Sequence, residues 1–158
     1  CIKTLYELGY LKPDLIAPYY ADFLSLLGNK NNRLVWGSMI ALACIADIMH
    51  VELFGSLNQI MECIKKGSVI TNDAGVEILS KLNVHSKYQN ITDPLLIDLL
   101  WKCPAKQLPM YIEKSIKSVH PGNKEIYISL IGQRRAECEN ESQQKRLDKA
   151  LKALEKIS

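Results

Sequence analysis

No stretch of this sequence is long enough to cross a bilayer. The longest run free of charged side chains, Leu34 to Ala46, has 13 residues, whereas a spanning helix takes about 20. No membrane partner is expected, and the expected location is cytoplasmic. The five cysteines (Cys1, Cys44, Cys63, Cys103, Cys138) include no C-x-x-C pair. An odd, scattered set argues for reduced, packed thiols and against a zinc site or a disulfide frame. Also missing are a glycine-rich phosphate loop, a G-x-S-x-G elbow and an H-E-x-x-H helix. Nowhere do apolar and polar residues alternate long enough to make a strand. Charge of one sign is scarce too. The surplus of 20 Lys and Arg over 17 Asp and Glu is too small to argue for nucleic acid or an anionic surface. There is no signal-peptide pattern, and the chain opens on Cys1, so a piece of a longer protein or a processed chain is expected.

What the sequence does contain is periodic. In VWGSMIALACIADIMH (35–50), Ser38, Leu42 and Ile45 fall at i, i+4, i+7, and Val35, Met39 and Ile48 widen the same face, which is a helical pattern. Shifting by 37 residues finds the same spacing in Gly75, Leu79 and Leu82. A second shift finds it in Ile112, Ile116 and Val119, and a backward shift in Cys1, Leu5 and Leu8. The segments between recur less cleanly: Tyr20, Phe23 and Leu27 map onto Leu57, Ile60 and Ile64, and then onto Pro94, Ile97 and Trp101. Each unit therefore reads as two helices.

Punctuation agrees with this division. Pro13-Asp14 opens a helix after Leu11, and Gly28-Asn29-Lys30-Asn31-Asn32, Gly67-Ser68, Pro104 and His120-Pro121-Gly122-Asn123 break the chain. Thr92-Asp93-Pro94 reads as a cap followed by a first-turn proline. A last amphipathic helix starts at Glu141-Ser142, with Leu147, Leu151, Leu154 and Ile157 on one stripe. The expected fold is all-α: a right-handed α-α superhelix (solenoid) of about four helical-hairpin repeats with a C-terminal capping helix. The expected boundaries are one domain over 1–158, repeats at approximately 1–29, 31–66, 68–103 and 104–138, and a cap over 142–158. A helix held between neighbouring repeats is covered on most sides, which explains why 35–50 is apolar nearly all round. Gly37, Ser38, Ala41, Ala43 and Ala46 let neighbours approach closely.

With a two-helix unit of about 37 residues, the stretches NNRLVWGSMIALACIAD and SVITNDAGVEILSKL resemble first helices of the HEAT family of α-solenoids. Tetratricopeptide repeats share the period, but their large aromatic positions do not recur here. The HEAT resemblance implies a fold and names no partner.

Candidate chemistry is thin. His50, His85 and His120 stand 35 residues apart. Equivalent loops on stacked helices lie about 8–10 Å apart, too far for one zinc, whose ligands sit about 2 Å away. They read as loop histidines near helix C-termini. Cys44 and Cys63 read as core. Asp93 with Asp98, and Glu137 with Glu139 and Glu141, read as solvated faces. Trp36 and Trp101 read as core. No catalytic residue, metal ligand or cofactor is expected, and the chain is not expected to be an enzyme. Basic residues recur at Lys65-Lys66 and Arg134-Arg135, with Lys102 and Lys106 flanking a turn. At the ends of second helices they would form a ridge for an acidic partner. Over Lys124 to Glu137, the inward positions Ile126, Ile128, Leu130 and Ile131 leave both arginines near the surface, where replacing them costs little stability. The expected function is a non-catalytic protein–protein interaction scaffold or regulatory segment binding a protein or peptide, acidic in character. The alternative is a nucleic-acid-binding or DNA-repair module like the HEAT-like glycosylases.

Overall fold

The computed structural model describes all residues from 1 to 158, and every regular element in it is helical. The chain divides into two compact units, Cys1–Leu82 and Asn83–Ser158.

Unit 1 holds α1 (Ile2–Leu11), α2 (Tyr20–Leu26), α3 (Asn32–Ile45), α4 (His50–Gly55), α5 (Leu57–Lys66) and nearly all of α6 (Val69–Asn83). Its centre is α3, where Gly37, Ser38, Met39 and every residue from Ala41 to Ala46 are buried. Glycine sets the packing distance. A Cβ on Gly37 would sit 2.5 Å from Ile2 Cγ1, and one on Gly9 would sit 3.0 Å from Cys44 Cβ. Both contacts join residues 35 apart in sequence and seven apart on each helix, so α1 and α3 run parallel at close range. Side chains tie the unit at separations of 35 and 38 residues. Gln59 of α5 donates to Leu24 O of α2 at 2.7 Å, and Lys81 of α6 donates to Ala43 O of α3 at 2.8 Å.

Unit 2 holds α7 (Gln89–Lys102), α8 (Leu108–Ser115), α9 (Lys124–Arg134) and α10 (Glu141–Leu154). Here too the ties fall one helix pair apart. Asn83 donates to Ser118 O at 3.3 Å, Arg134 to Leu100 O at 2.8 Å, and Gln143 to Lys106 O at 3.2 Å. Leu147, Ala150 and Leu154 bury one face of α10, which packs on α8 and α9.

Several local expectations change. Pro13-Asp14 starts a 3₁₀ turn, and the first pair's second helix begins only at Tyr20. The segment after α3 folds into the extra short helix α4. Thr92-Asp93-Pro94 does not open α7, which starts at Gln89 with Pro94 inside it. The missing Pro94 N–H would serve the carbonyl of Asn90, an exposed residue, so water can satisfy that carbonyl and the proline is tolerated. On α9 the buried face is Tyr127, Leu130, Ile131 and Arg134. Ile126 is left 43% exposed because it lies off that i, i+3, i+4, i+7 stripe. No helix is long and apolar enough to cross a membrane.

Candidate binding cleft and the basic residues

A cleft of about 660 Å³ opens in unit 1 where the α2–α3 loop faces the α5–α6 turn. Local sequence builds both lips. Asn29 Oδ1 accepts from Asn31 N at 2.8 Å, and Asn31 Oδ1 accepts from Arg33 N at 3.0 Å, capping α3. On the other lip, Gly67 ends α5 in extended backbone. Any Cβ there would lie 1.8 Å from Thr71 Oγ1, whose hydroxyl donates to Ser68 O at 2.7 Å. Glycine is required at this turn by the close approach.

The floor is Val35 and Trp36 from the start of α3; Gln59, Glu62 and Lys66 come from α5. Trp36, expected in the core, is half-buried and forms this wall instead. Gln59, which lines the cleft, donates one amide N–H to Leu24 O. Glu62 accepts from Lys65 at 3.0 Å and lies 3.8 Å from Lys66. The Lys65 hydrogen bond holds its carboxyl below the usual range. Cys63 also lines the cleft, but burial pushes its thiol up, away from the nucleophilic thiolate. No histidine lines it. The inventory is an aromatic wall, side-chain amides, the Cys63 thiol, the Ser68 and Thr71 hydroxyls and the Glu62–Lys66 charge pair.

The other basic residues gather at one end of unit 2, where α7 and α9 both finish. Lys102 pairs with Asp98 at 2.8 Å, and Lys106 is exposed in the following turn. Arg134 is not at the surface: it is 6% exposed. Its Nη1 and Nη2 donate to Leu100 O and Cys103 O, each at 2.8 Å. Nε and Nη2 donate to Glu137 at 3.0 and 2.7 Å, and a last N–H points at Cys103 Sγ at 3.5 Å. Every guanidinium proton therefore has a partner inside the chain. The cause is Pro104. A residue at that position normally donates to Leu100 O, four residues back, but proline has no N–H. Arg135 closes a two-pronged fork on Asp148 of α10 at 2.6 and 2.8 Å.

The polar groups most like a reaction centre also lie in unit 2. Asp93, expected on a solvated face, accepts from Asn83, from Asn123 at 2.8 Å and from His120 Nε2 at 2.7 Å. Thr92 donates to Asn83 and to Tyr88 O. His120 is thus no simple loop histidine. Gly122 N–H donates to its Nδ1 at 3.1 Å, which places the ring proton on Nε2 toward Asp93. Both ring nitrogens are used within the chain, and no nucleophile adjoins either. The cluster fastens the His120–Asn123 turn to α7. His85 stacks edge-on against Tyr88 with ring centroids 5.7 Å apart. His50 begins α4. Nowhere do three histidine, cysteine or carboxylate groups converge as a metal site would need. Trp101, expected in the core, is 39% exposed.

Comparison of the chain with family models, curated proteins and solved structures finds no match. The site is accordingly read from its chemistry.

Proposed function

We propose that the chain is a non-catalytic protein-interaction module: an α-solenoid of HEAT-like type, made of about four helix pairs and closed by α10, that holds a peptide segment of a protein partner. The cleft of unit 1 carries this reading. Its volume of about 660 Å³ falls within the range of ligand pockets, and Trp36 offers an aromatic wall beside the amides of Asn29, Asn32 and Gln59. An amide side chain can donate and accept at once, as a peptide backbone does. Lys66 and Glu62 at the rim suit a partner with charged side chains. Supporting the solenoid reading are the parallel contact of α1 with α3 and the side-chain ties that recur at separations of 34 to 38 residues in each unit. Supporting the absence of catalysis is the way His120, Asp93 and Arg134 are spent on internal bonds.

Selection of random 12-residue peptides on the wild-type protein, followed by titration against Asn32→Lys and Lys66→Glu, tests the proposal. Both positions are exposed, so folding should survive, and unchanged melting will verify it. Enriched peptides should lose at least about tenfold in affinity for each variant. Peptides that bind both variants as they bind wild type would overturn the cleft as the site. Salt-dependent binding of DNA with no peptide enriched would replace this reading with the nucleic-acid alternative.

A further inference from the structure

Unit 2 carries 13 lysines and arginines against nine aspartates and glutamates, and the structure sorts them by type. Six of the nine carboxylates are in intramolecular pairs: Asp93, Asp98, Glu113, Glu137, Glu141 and Asp148. All three arginines are consumed this way, including Arg146, whose fork on Glu113 closes at 2.7 and 2.6 Å. The surplus positive charge is therefore ammonium, and much of it lies on α10. Lys145, Lys149 and Lys152 follow i, i+4, i+7 on α10, opposite the buried stripe of Leu147, Ala150 and Leu154, and Lys156 follows in the turn just past the helix. All four are exposed, and only Lys145 has an ion pair, with Glu141 at 2.9 Å. No acidic residue interrupts the row; Asp148 and Glu155 lie to one side of it.

We propose that this row is a docking surface for an acidic helical segment of a protein partner. At about 1.5 Å per residue, Lys145, Lys149 and Lys152 spring from points about 6 and 4.5 Å apart along the helix, and Lys156 continues the series in the turn that follows. A partner helix with glutamates at i, i+4 and i+7 repeats those steps, so each of these carboxylates meets one lysine, and one at i+11 extends the series toward Lys156. Nucleic acid fits less well. α10 has no aromatic residue on which a base could stack. The arginine forks that would grip phosphate are already closed on carboxylates. The row lies wholly in unit 2 and stands whether or not the unit 1 cleft binds peptide.

The test is fluorescence anisotropy on the full chain with three labelled probes. One is an alanine- and glutamine-based helical peptide carrying glutamates at i, i+4, i+7 and i+11. The second has the same composition with the glutamates spread around the helix, and the third is oligo-dT. The registered peptide should bind at low salt at least about tenfold tighter than the scrambled one, because exposed ion pairs are individually weak and need correct geometry to add. Substituting Lys149→Gln, Lys152→Gln and Lys156→Gln together should abolish that preference. A Lys3→Gln/Lys12→Gln control in unit 1, at exposed positions outside the cleft, should keep it. Equal binding of registered and scrambled peptides by wild type overturns the proposal without reference to any variant. So does tighter binding of oligo-dT, a preference that survives the triple substitution, or no binding of the registered peptide.

Discussion

Replacing Arg134 tests whether the end of α7 depends on a residue that arrives one helix pair later. Pro104 leaves Leu100 O without its helical donor, and the break after Cys103 leaves Cys103 O without one too. Arg134 supplies both bonds, each at 2.8 Å, in a buried setting. A hydrogen bond to a charged donor contributes about 1.5–3 kcal/mol, and an orphaned buried carbonyl costs about 1–3 kcal/mol. Arg134→Met fills the space but supplies neither bond, leaving Leu100 O only the Cys103 thiol at 3.3 Å and Cys103 O without its guanidinium donor, so it should destabilise by about 3–5 kcal/mol. Arg134→Lys keeps the charge and can reach one oxygen, so it should lose roughly half of that. In a chain of this size about 4 kcal/mol lowers the melting midpoint by roughly 10 °C. Glu137→Gln should be much milder, since the Glu137 side chain is 49% exposed. Urea unfolding followed by far-ultraviolet circular dichroism reads all three. A Met variant within about 1 kcal/mol of wild type, or a Lys variant as stable as wild type, would refute the reasoning.

Glycine offers a matched pair. Gly132→Ala on α9 meets nothing within 4 Å and should stabilise by about 0.5–1 kcal/mol. Gly75→Ala places a Cβ 2.4 Å from Ile64 Cδ1 and should destabilise, because overpacking costs about 1–3 kcal/mol against the same helix gain; thermal melting of both decides. In the native protein only the exposed Cys1 should react quickly with a disulfide reagent at mildly alkaline pH. The other four thiols are buried and the Cys44 thiol is pushed up to about 11 by burial; a second fast thiol contradicts this. Acid should weaken unit 2. The Arg146 and Arg135 bonds hold the Glu113 and Asp148 carboxyls below their usual range. Their stabilisation is therefore complete above about pH 4 and lost as pH falls through the lowered native values. Arg146→Gln should flatten that acid limb, and an unchanged limb argues against it.

How far the sequence could be read followed from how local each cause was. α3 was legible because a helix covered on most sides must be apolar on most sides, and its burial from Ala41 to Ala46 follows. The stripe of α10 was legible for the complementary reason. The start of α7 was misread because Thr92 and Asp93 look like caps. Their partners are Asn83, His120 and Asn123, two of them about 30 residues away. Arg134 was misplaced for the same kind of reason, although a signal was present: Pro104 announces an unmet acceptor at Leu100 and hence a donor from elsewhere. The cleft had no signature at all. It forms where two chain breaks, Gly28-Asn29 and Gly67-Ser68, come to face each other, and neither break names the other.

The placement of the basic residues also bears on what their number can say about function. Guanidinium groups have planar, multidentate geometry, and here Arg134, Arg135 and Arg146 use it to fasten helix ends and neighbouring helices. Ammonium groups are single points of charge on flexible stems, and here most stay at the surface, while Lys81 and Lys124 tie helices through backbone carbonyls. A count of positive charge therefore mixes groups already spent on the fold with groups open to a partner. The uncommitted chemistry is small and local: an aromatic wall with amides in unit 1, and a lysine row in unit 2. A molecule whose reactive-looking groups fasten its own helices, and whose free groups are hydrogen-bonding and cationic, has the means to recognise another chain, and that is why the binding experiments come first.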